Sequence, residues 1–310
     1  MSAKSTTVRF LVKLGHTLAP AATTRKVASL FLSPRRSKRA RAPEGGSGQQ
    51  AVRSTVRSGP SEVAVYTWGQ GPGILLVHGW EGRSTQFERF VEPLVRAGFK
   101  VVAMDLPAHG LSSGETTNLV RAARAIGDVT QLAGPFRGAV AHSFGGIALL
   151  LAHLESPVAE RLVGIAPSVE PKLFVDRMLD FLHVPGARRD GVYREIESLV
   201  GRRMDEIDLR AVRGALTTPL LALHDPHDDE VPFAHGEAWA QVSRQGAVES
   251  VRDLGHRRIL KDDAVISRAC EFATGVPRVL ELSRAGAAAA VSREEAPSGA
   301  LRWENRSGTA

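Results

Sequence analysis

The chain has 310 residues, a length that fits one large domain or two modest ones. Its 43% hydrophobic and 24% charged residues exclude a wholly disordered, collagen-like or multi-span membrane chain. A single cysteine, Cys270, permits neither an intrachain disulfide nor a Cys-based zinc cage, and the formal net charge of +7 is unevenly spread.

Residues 1–60 carry twelve basic side chains and one acidic one, Glu44, whereas the remainder of the chain sums to −4. The basicity therefore belongs to an extension. With no RNP-like, zinc-finger or helix-turn-helix signature, it predicts no nucleic-acid partner. Within the extension, Val8, Leu11, Leu14 and Leu18 recur at helical spacing, and Val27, Leu30 and Phe31 form a second short face. Lys13 and His16 interrupt the apolar core of about 7–15 residues that a secretory signal needs. No run approaches the roughly 20 apolar residues that span a bilayer. The basic run SPRRSKRARAP then leads into EGGSGQQ, a linker by composition. Residues 1–41 read as a basic amphipathic region able to touch an anionic membrane surface, on a protein otherwise expected in the cytoplasm. Packing on the domain, a loosely ordered tail and an organellar address are the other readings. The expected division is an extension at 1–59, dispensable for the main domain, a domain at 60–283 and a low-complexity tail at 284–310.

From Ser61 onward, short apolar runs bounded by Gly, Pro, Asp and His recur: EVAVYTW, GILLVHG, KVVAMDLP, GAVAHS, RLVGIAPS and PLLALHD. Such continuous runs read as strands buried on both faces. Helix-like stretches at 84–97, 117–133 and 145–155 lie between them. The alternation predicts an α/β fold, a doubly wound and mostly parallel sheet with helices on both sides. Residues 169–215 break the rhythm with two amphipathic segments, around 173–183 and 191–204. They read as a helical cap inserted over the carboxyl ends of the strands, where ligands bind in such sheets.

The strongest chemical signal is AVAHSFGG at 139–146, an apolar strand running into Ser143 and two glycines opening the apolar helix IALLLAHL. This is the context of a nucleophile elbow, whose tight turn demands small residues on either side of the serine. Gly145 and Gly146 meet the demand. Ala141 stands where the G-x-S-x-G pattern has glycine. A serine hydroxyl needs a base, and a histidine base needs a carboxylate to fix its tautomer. PLLALHDPHDDEVPF (219–233) offers the acid, and His256 in VRDLGHRRIL (251–260) the base. A metal site built from His224, Asp225, His227, Asp228 and Asp229 lacks the spacing of a zinc motif, so neither metal nor cofactor is expected.

HGW at 78–80, DLPAHGLS at 105–112, AHSFGG at 141–146, HDPHDDEVP at 224–232 and Gly255-His256 together resemble the α/β-hydrolase superfamily, over about residues 61–283. The resemblance implies a helical cap and a Ser–Asp–His triad of Ser143, Asp228 and His256. The acid is placed three residues before Val231-Pro232, with Asp225 and Asp229 as rivals. It also implies an oxyanion hole from the backbone N–H groups of Trp80 and Phe144. His142, Phe174, Met178 and Phe181 are the candidates for a substrate pocket. The expected activity is a serine esterase or thioesterase acting on a small-molecule acyl substrate. Amide, lactone or carbon–carbon hydrolysis and perhydrolysis use the same triad. A non-catalytic ligand binder is the competing reading from another class.

Overall fold

A computed structural model describes residues 3–36, 41–44 and 50–277. The tail expected at 284–310 lies outside the described residues. Eight strands form one sheet: β1 (Val52–Ser58), β2 (Ser61–Trp68), β3 (Gly73–Val77), β4 (Lys100–Met104), β5 (Phe136–His142), β6 (Leu162–Ile165), β7 (Leu220–His224) and β8 (Gly246–Ser250). Their spatial order is β1-β2-β4-β3-β5-β6-β7-β8. β2 runs antiparallel to β1 and β4, and every other neighbouring pair is parallel.

Each central strand is apolar throughout because both of its faces are covered. In β3, Ile74 and Leu76 point into one core while Leu75 and Val77 point into the other, as the two-residue strand period requires. The helices are α1 (Ala3–Leu18), α2 (Pro20–Phe31), α3 (Glu88–Arg96), α4 (Leu119–Ala133), α5 (Phe144–Glu155), α6 (Pro171–Phe181), α7 (Gly186–Val200), α8 (Phe233–Gln241), α9 (Gly255–Arg258) and α10 (Asp263–Thr274). One core takes α3 and α10, including the fully buried Cys270. The other takes α4, α5 and α8 and continues into α6 and α7. These last two helices occupy the insertion between β6 and β7. Gly201, in the left-handed conformation at φ 75°, ends α7 short of the expected residue 204.

Two expectations need correcting. The boundary drawn at residue 60 cuts a β-hairpin, because Val52–Ser58 pairs residue by residue with Ser61–Thr67 and is part of the sheet. The extension is also not separate from the core. Val12, Val27, Ala28 and Leu32 are buried in the same core as α4 to α8. The Thr117 N–H donates to the Leu32 carbonyl at 2.8 Å. Val12, Val27, Ala28 and Leu32 thus bury against the domain, whereas Val8, Leu11, Leu14 and Leu18, the positions singled out by their spacing, are exposed.

Candidate active site

The site gathers at the carboxyl ends of the parallel strands. β5 leads directly into Ser143, which holds φ 52° and ψ −120°, a conformation that side-chain-bearing residues rarely adopt. The turn is fixed from both sides. The Ser143 N–H donates to the Ile165 carbonyl at 3.0 Å, and the Ser143 carbonyl accepts from the Gly146 N–H at 2.9 Å. A Cβ at position 145 would sit 2.4 Å from the His78 carbonyl oxygen and 2.8 Å from that of Val77, so only glycine lets the helix start so close to β3. Ala141 is fully buried, and its methyl group packs in the core without displacing the turn.

The loop after β3 passes over the serine. Gly79 allows this approach, since a Cβ there would lie 3.1 Å from the Ser143 Cβ. Two histidines organise the loop. His78 accepts from the Leu106 N–H at Nε2 (2.9 Å), which leaves Nδ1 to donate to the Gly79 carbonyl (2.7 Å). His109 accepts from the Glu81 N–H at Nε2 (3.0 Å) and donates from Nδ1 to the Pro107 carbonyl (3.0 Å). Burial, with His78 nearby, pushes His109 down to about 3, so it is neutral and able to accept. Asp105 ties the turn after β4 together by accepting from the N–H groups of Ser84 (2.7 Å) and Leu111 (2.8 Å).

On the other side, β7 delivers the acidic loop. Asp228 Oδ2 lies 2.8 Å from His256 Nδ1, and Asp228 Oδ1 accepts from the N–H groups of Glu230 and Val231, both at 2.8 Å. His224 Nε2 stands 3.4 Å from the same Oδ2. Burial alone would raise the Asp228 pKa. The hydrogen bonds from His224, His256 and the Val231 N–H outweigh it and hold the carboxyl well below the usual range. Asp225 is engaged elsewhere. It accepts from His227 N–H at 2.9 Å, Leu254 N–H at 2.7 Å and Gly255 N–H at 2.6 Å, and so fastens the acidic loop to the segment carrying His256. Asp229 is exposed. Among the described residues, no group of three or more His, Cys, Asp or Glu side chains is arranged to hold a metal ion.

The His256 ring lies 4.7 Å from the ring of His142, the residue preceding Ser143. His142 was expected in the substrate pocket, and its position differs. It is buried, is absent from the cavity wall, and donates from Nε2 to the His256 carbonyl at 2.9 Å. Burial and the neighbouring His256 push it down to about 3, so it is a neutral support beneath the His256 backbone.

A cavity of about 680 Å³ extends from the elbow under the cap. Phe174, Met178 and Phe181 line it, as expected, together with Trp80 and Phe144. Phe144, the chain neighbour of Ser143, is part of this wall, whereas Ser143 and His256 are not. The Trp80 ring meets Phe144 and His109 edge-on, each at 5.3 Å, and stacks on Phe31 at 6.3 Å. Sequence reasoning missed the contribution of the extension. Val8, Phe31, Leu32 and Arg35 also line the cavity. Arg35 grips Glu81, the residue after Trp80, through Nε–Oε1 at 2.8 Å and Nη2–Oε2 at 2.9 Å. The signal available was the apolar spacing of Val27, Leu30 and Phe31, which marks a buried helix face.

Comparison with known proteins places the fold. The alpha/beta hydrolase family profile matches residues 74–290. The chain belongs to the alpha/beta hydrolase family. Human serine hydrolase-like protein and serine hydrolase-like protein 2 are each 45% identical to this hydrolase over 53 residues, 16% of the chain. Those matches span only 26% and 17% of the two human proteins. Among solved structures, mouse alpha/beta hydrolase domain-containing protein 10 superposes with a TM-score of 0.56 at 19% identity, over 71% of this chain and 96% of that one. A thermophilic esterase from Thermogutta terrifontis gives 0.56 at 20% identity, over 74% and 99%. Est1E from Butyrivibrio proteoclasticus, solved with ferulic acid bound, gives 0.56 at 18%, over 74% and 98%. At these identities the likeness is one of fold.

Proposed function

We propose that this hydrolase cleaves a carboxylic ester or thioester with an apolar acyl group, through Ser143, His256 and Asp228 and an acyl-enzyme intermediate. The observation that carries the reading is the 2.8 Å hydrogen bond from His256 Nδ1 to the buried Asp228 carboxylate, with the His256 ring 4.7 Å from that of His142, the residue before a serine held at positive φ on a strand-to-helix turn. The carboxylate fixes the proton on Nδ1, which leaves Nε2 free to take the Ser143 hydroxyl proton as Oγ attacks the carbonyl carbon. The backbone N–H groups of Phe144 and Trp80 receive the developing oxyanion. Each such donor contributes about 2.7–4 kcal/mol of transition-state stabilisation. The imidazolium then gives its proton to the departing alcohol or thiol. Water, deprotonated by the same nitrogen, releases the acid and restores Ser143.

The cavity supports an apolar acyl chain, because aromatic and aliphatic side chains of the cap and extension surround it. An esterase among the proteins of similar fold is consistent with this chemistry. The test is Ser143→Ala. The variant should lose p-nitrophenyl ester turnover and labelling by a fluorophosphonate probe while keeping the wild-type melting temperature. Undiminished labelling would remove Ser143 from the mechanism.

A further inference from the structure

Helix α1 is apolar on two opposite faces. Successive residues of a helix turn by about 100°, so residues two apart point in nearly opposite directions. Val12 and His16 are buried against the domain, and Leu14, between them, points away from it. A surface helix ordinarily presents polar side chains there. Here Phe10, Leu11, Leu14 and Leu18 fill the outward face and are 63%, 58%, 41% and 74% exposed. Val8, one turn before Leu11, is 39% exposed and is also part of the cavity wall, as is the half-exposed Phe181 of the cap. The stripe is therefore continuous with the apolar rim of the cavity. Arg9 spans this join, its guanidinium 4.7 Å above the Phe181 ring.

The charge of the segment that carries the stripe has one sign. Residues 1–43 contain ten lysines and arginines and no acidic residue. Lys13 borders the stripe and is exposed, as are Arg25 and Lys26 on α2. A patch of large apolar side chains on a segment whose charges are all cations fits a surface that offers hydrocarbon beneath a layer of negative charge. A protein partner would need an acidic rim around an apolar groove. A second copy of this chain would bring like charges together.

We infer that the outward face of α1 docks on an anionic lipid bilayer, with Phe10, Leu11, Leu14 and Leu18 entering the headgroup–acyl boundary and Lys13 at the phosphate level. Docking sets the cavity rim against the membrane, so an apolar acyl substrate can pass from the lipid phase to the cavity along Leu11 and Val8 without crossing water. The docking stands independently of the nucleophile assigned above.

The test is co-sedimentation of the full chain with phosphatidylcholine vesicles, with and without phosphatidylserine. The wild-type chain should pellet with the phosphatidylserine vesicles and, once bound, resist release by raised salt. The triple variant Phe10→Gln, Leu14→Gln, Leu18→Gln should lose affinity on the order of a hundredfold. Its short-chain ester turnover should be unchanged, because none of the three residues lines the cavity. Lys13→Glu, outside the core, should weaken binding to the phosphatidylserine vesicles selectively, and it keeps the test decisive if the triple variant fails to fold. Failure of the wild-type chain to pellet, or equal binding by wild type and a folded triple variant, overturns the inference. A wild-type dimer that the triple variant splits, without vesicle binding, overturns it in favour of a second copy.

Discussion

Asp228→Asn replaces one oxygen of a side chain whose every partner is defined. Oδ1 is held by two backbone donors, the N–H groups of Glu230 and Val231. An asparagine would therefore keep its carbonyl oxygen on that side and turn its NH₂ toward His256. The amide would then donate to Nδ1, and the imidazole proton would move to Nε2, the nitrogen proposed above to receive the proton of Ser143. The ring would stay in place but in the wrong tautomer. Such an inversion costs about 10⁴-fold in turnover, or ~5.4 kcal/mol of activation free energy. The fold should be little disturbed, because shape and the two backbone hydrogen bonds survive. The assay is steady-state turnover of a short p-nitrophenyl ester, with the melting temperature measured in parallel. Turnover within about tenfold of wild type in a folded variant would refute the tautomer argument. Asp225→Asn is the matched control. Its NH₂ must face one of three backbone donors, so it should lose about 1–3 kcal/mol of stability with a far smaller fall in rate.

Further outcomes follow from the same contacts. Removing residues 1–36 strips Val27 and Leu32 from the core and Val8 and Phe31 from the cavity wall. Even a net loss of about 2 kcal/mol lowers Tm by ~4–8 °C in a chain of this size, and turnover of long-acyl esters should fall more than that of acetates. An unchanged Tm and acyl preference would contradict the packing described. Gly145→Ala forces a methyl group against two backbone carbonyls, costing at least about 1–3 kcal/mol and displacing the His78–Gly79 segment. Tm and kcat should fall together. Burial lowers the pKa of His109 and His142 to about 3 and of His235 to about 4, whereas in the unfolded chain histidine titrates near ~6.5. Below that value the unfolded chain binds more protons than the folded one, so stability falls as pH drops from about 6.5 toward 4. Denaturant midpoints across that range should decrease monotonically, and a flat profile would show that the three rings become protonated without unfolding.

The six apolar runs that read as strands are the six central strands, because burial on both faces forces an unbroken hydrophobic pattern that needs no context to interpret. β1 and β8 escaped notice for the opposite reason. VRSTVRS and GAVES are edge strands with mostly solvated side chains, and their composition does not differ from that of a loop. Ser143 was legible because its turn restricts the neighbouring residues. The distinction between Asp228 and Asp225 was not, because both lie on one loop and only the path of the 251–258 segment decides which meets the ring of His256 and which meets backbone. His142 misled for a similar reason, since a side chain next to the elbow serine can point to either side of the strand end. The extension was obscured by its charge. The cations that mark it as a tail sit on the outer surface, while Val12, Val27, Ala28 and Leu32 carry the packing.

The pairing of α2 with α7 couples parts of the chain made at different times. The inner face of α2 is not fully covered until Gly186–Val200, the cap helix packed on it, has left the ribosome. At about 5–20 residues per second that interval is roughly ten to thirty seconds. During it, part of the surface formed by Val27, Ala28 and Leu32 in the finished core lacks its cap partner, and a nascent-chain chaperone or a nearby bilayer has the first opportunity to shelter it.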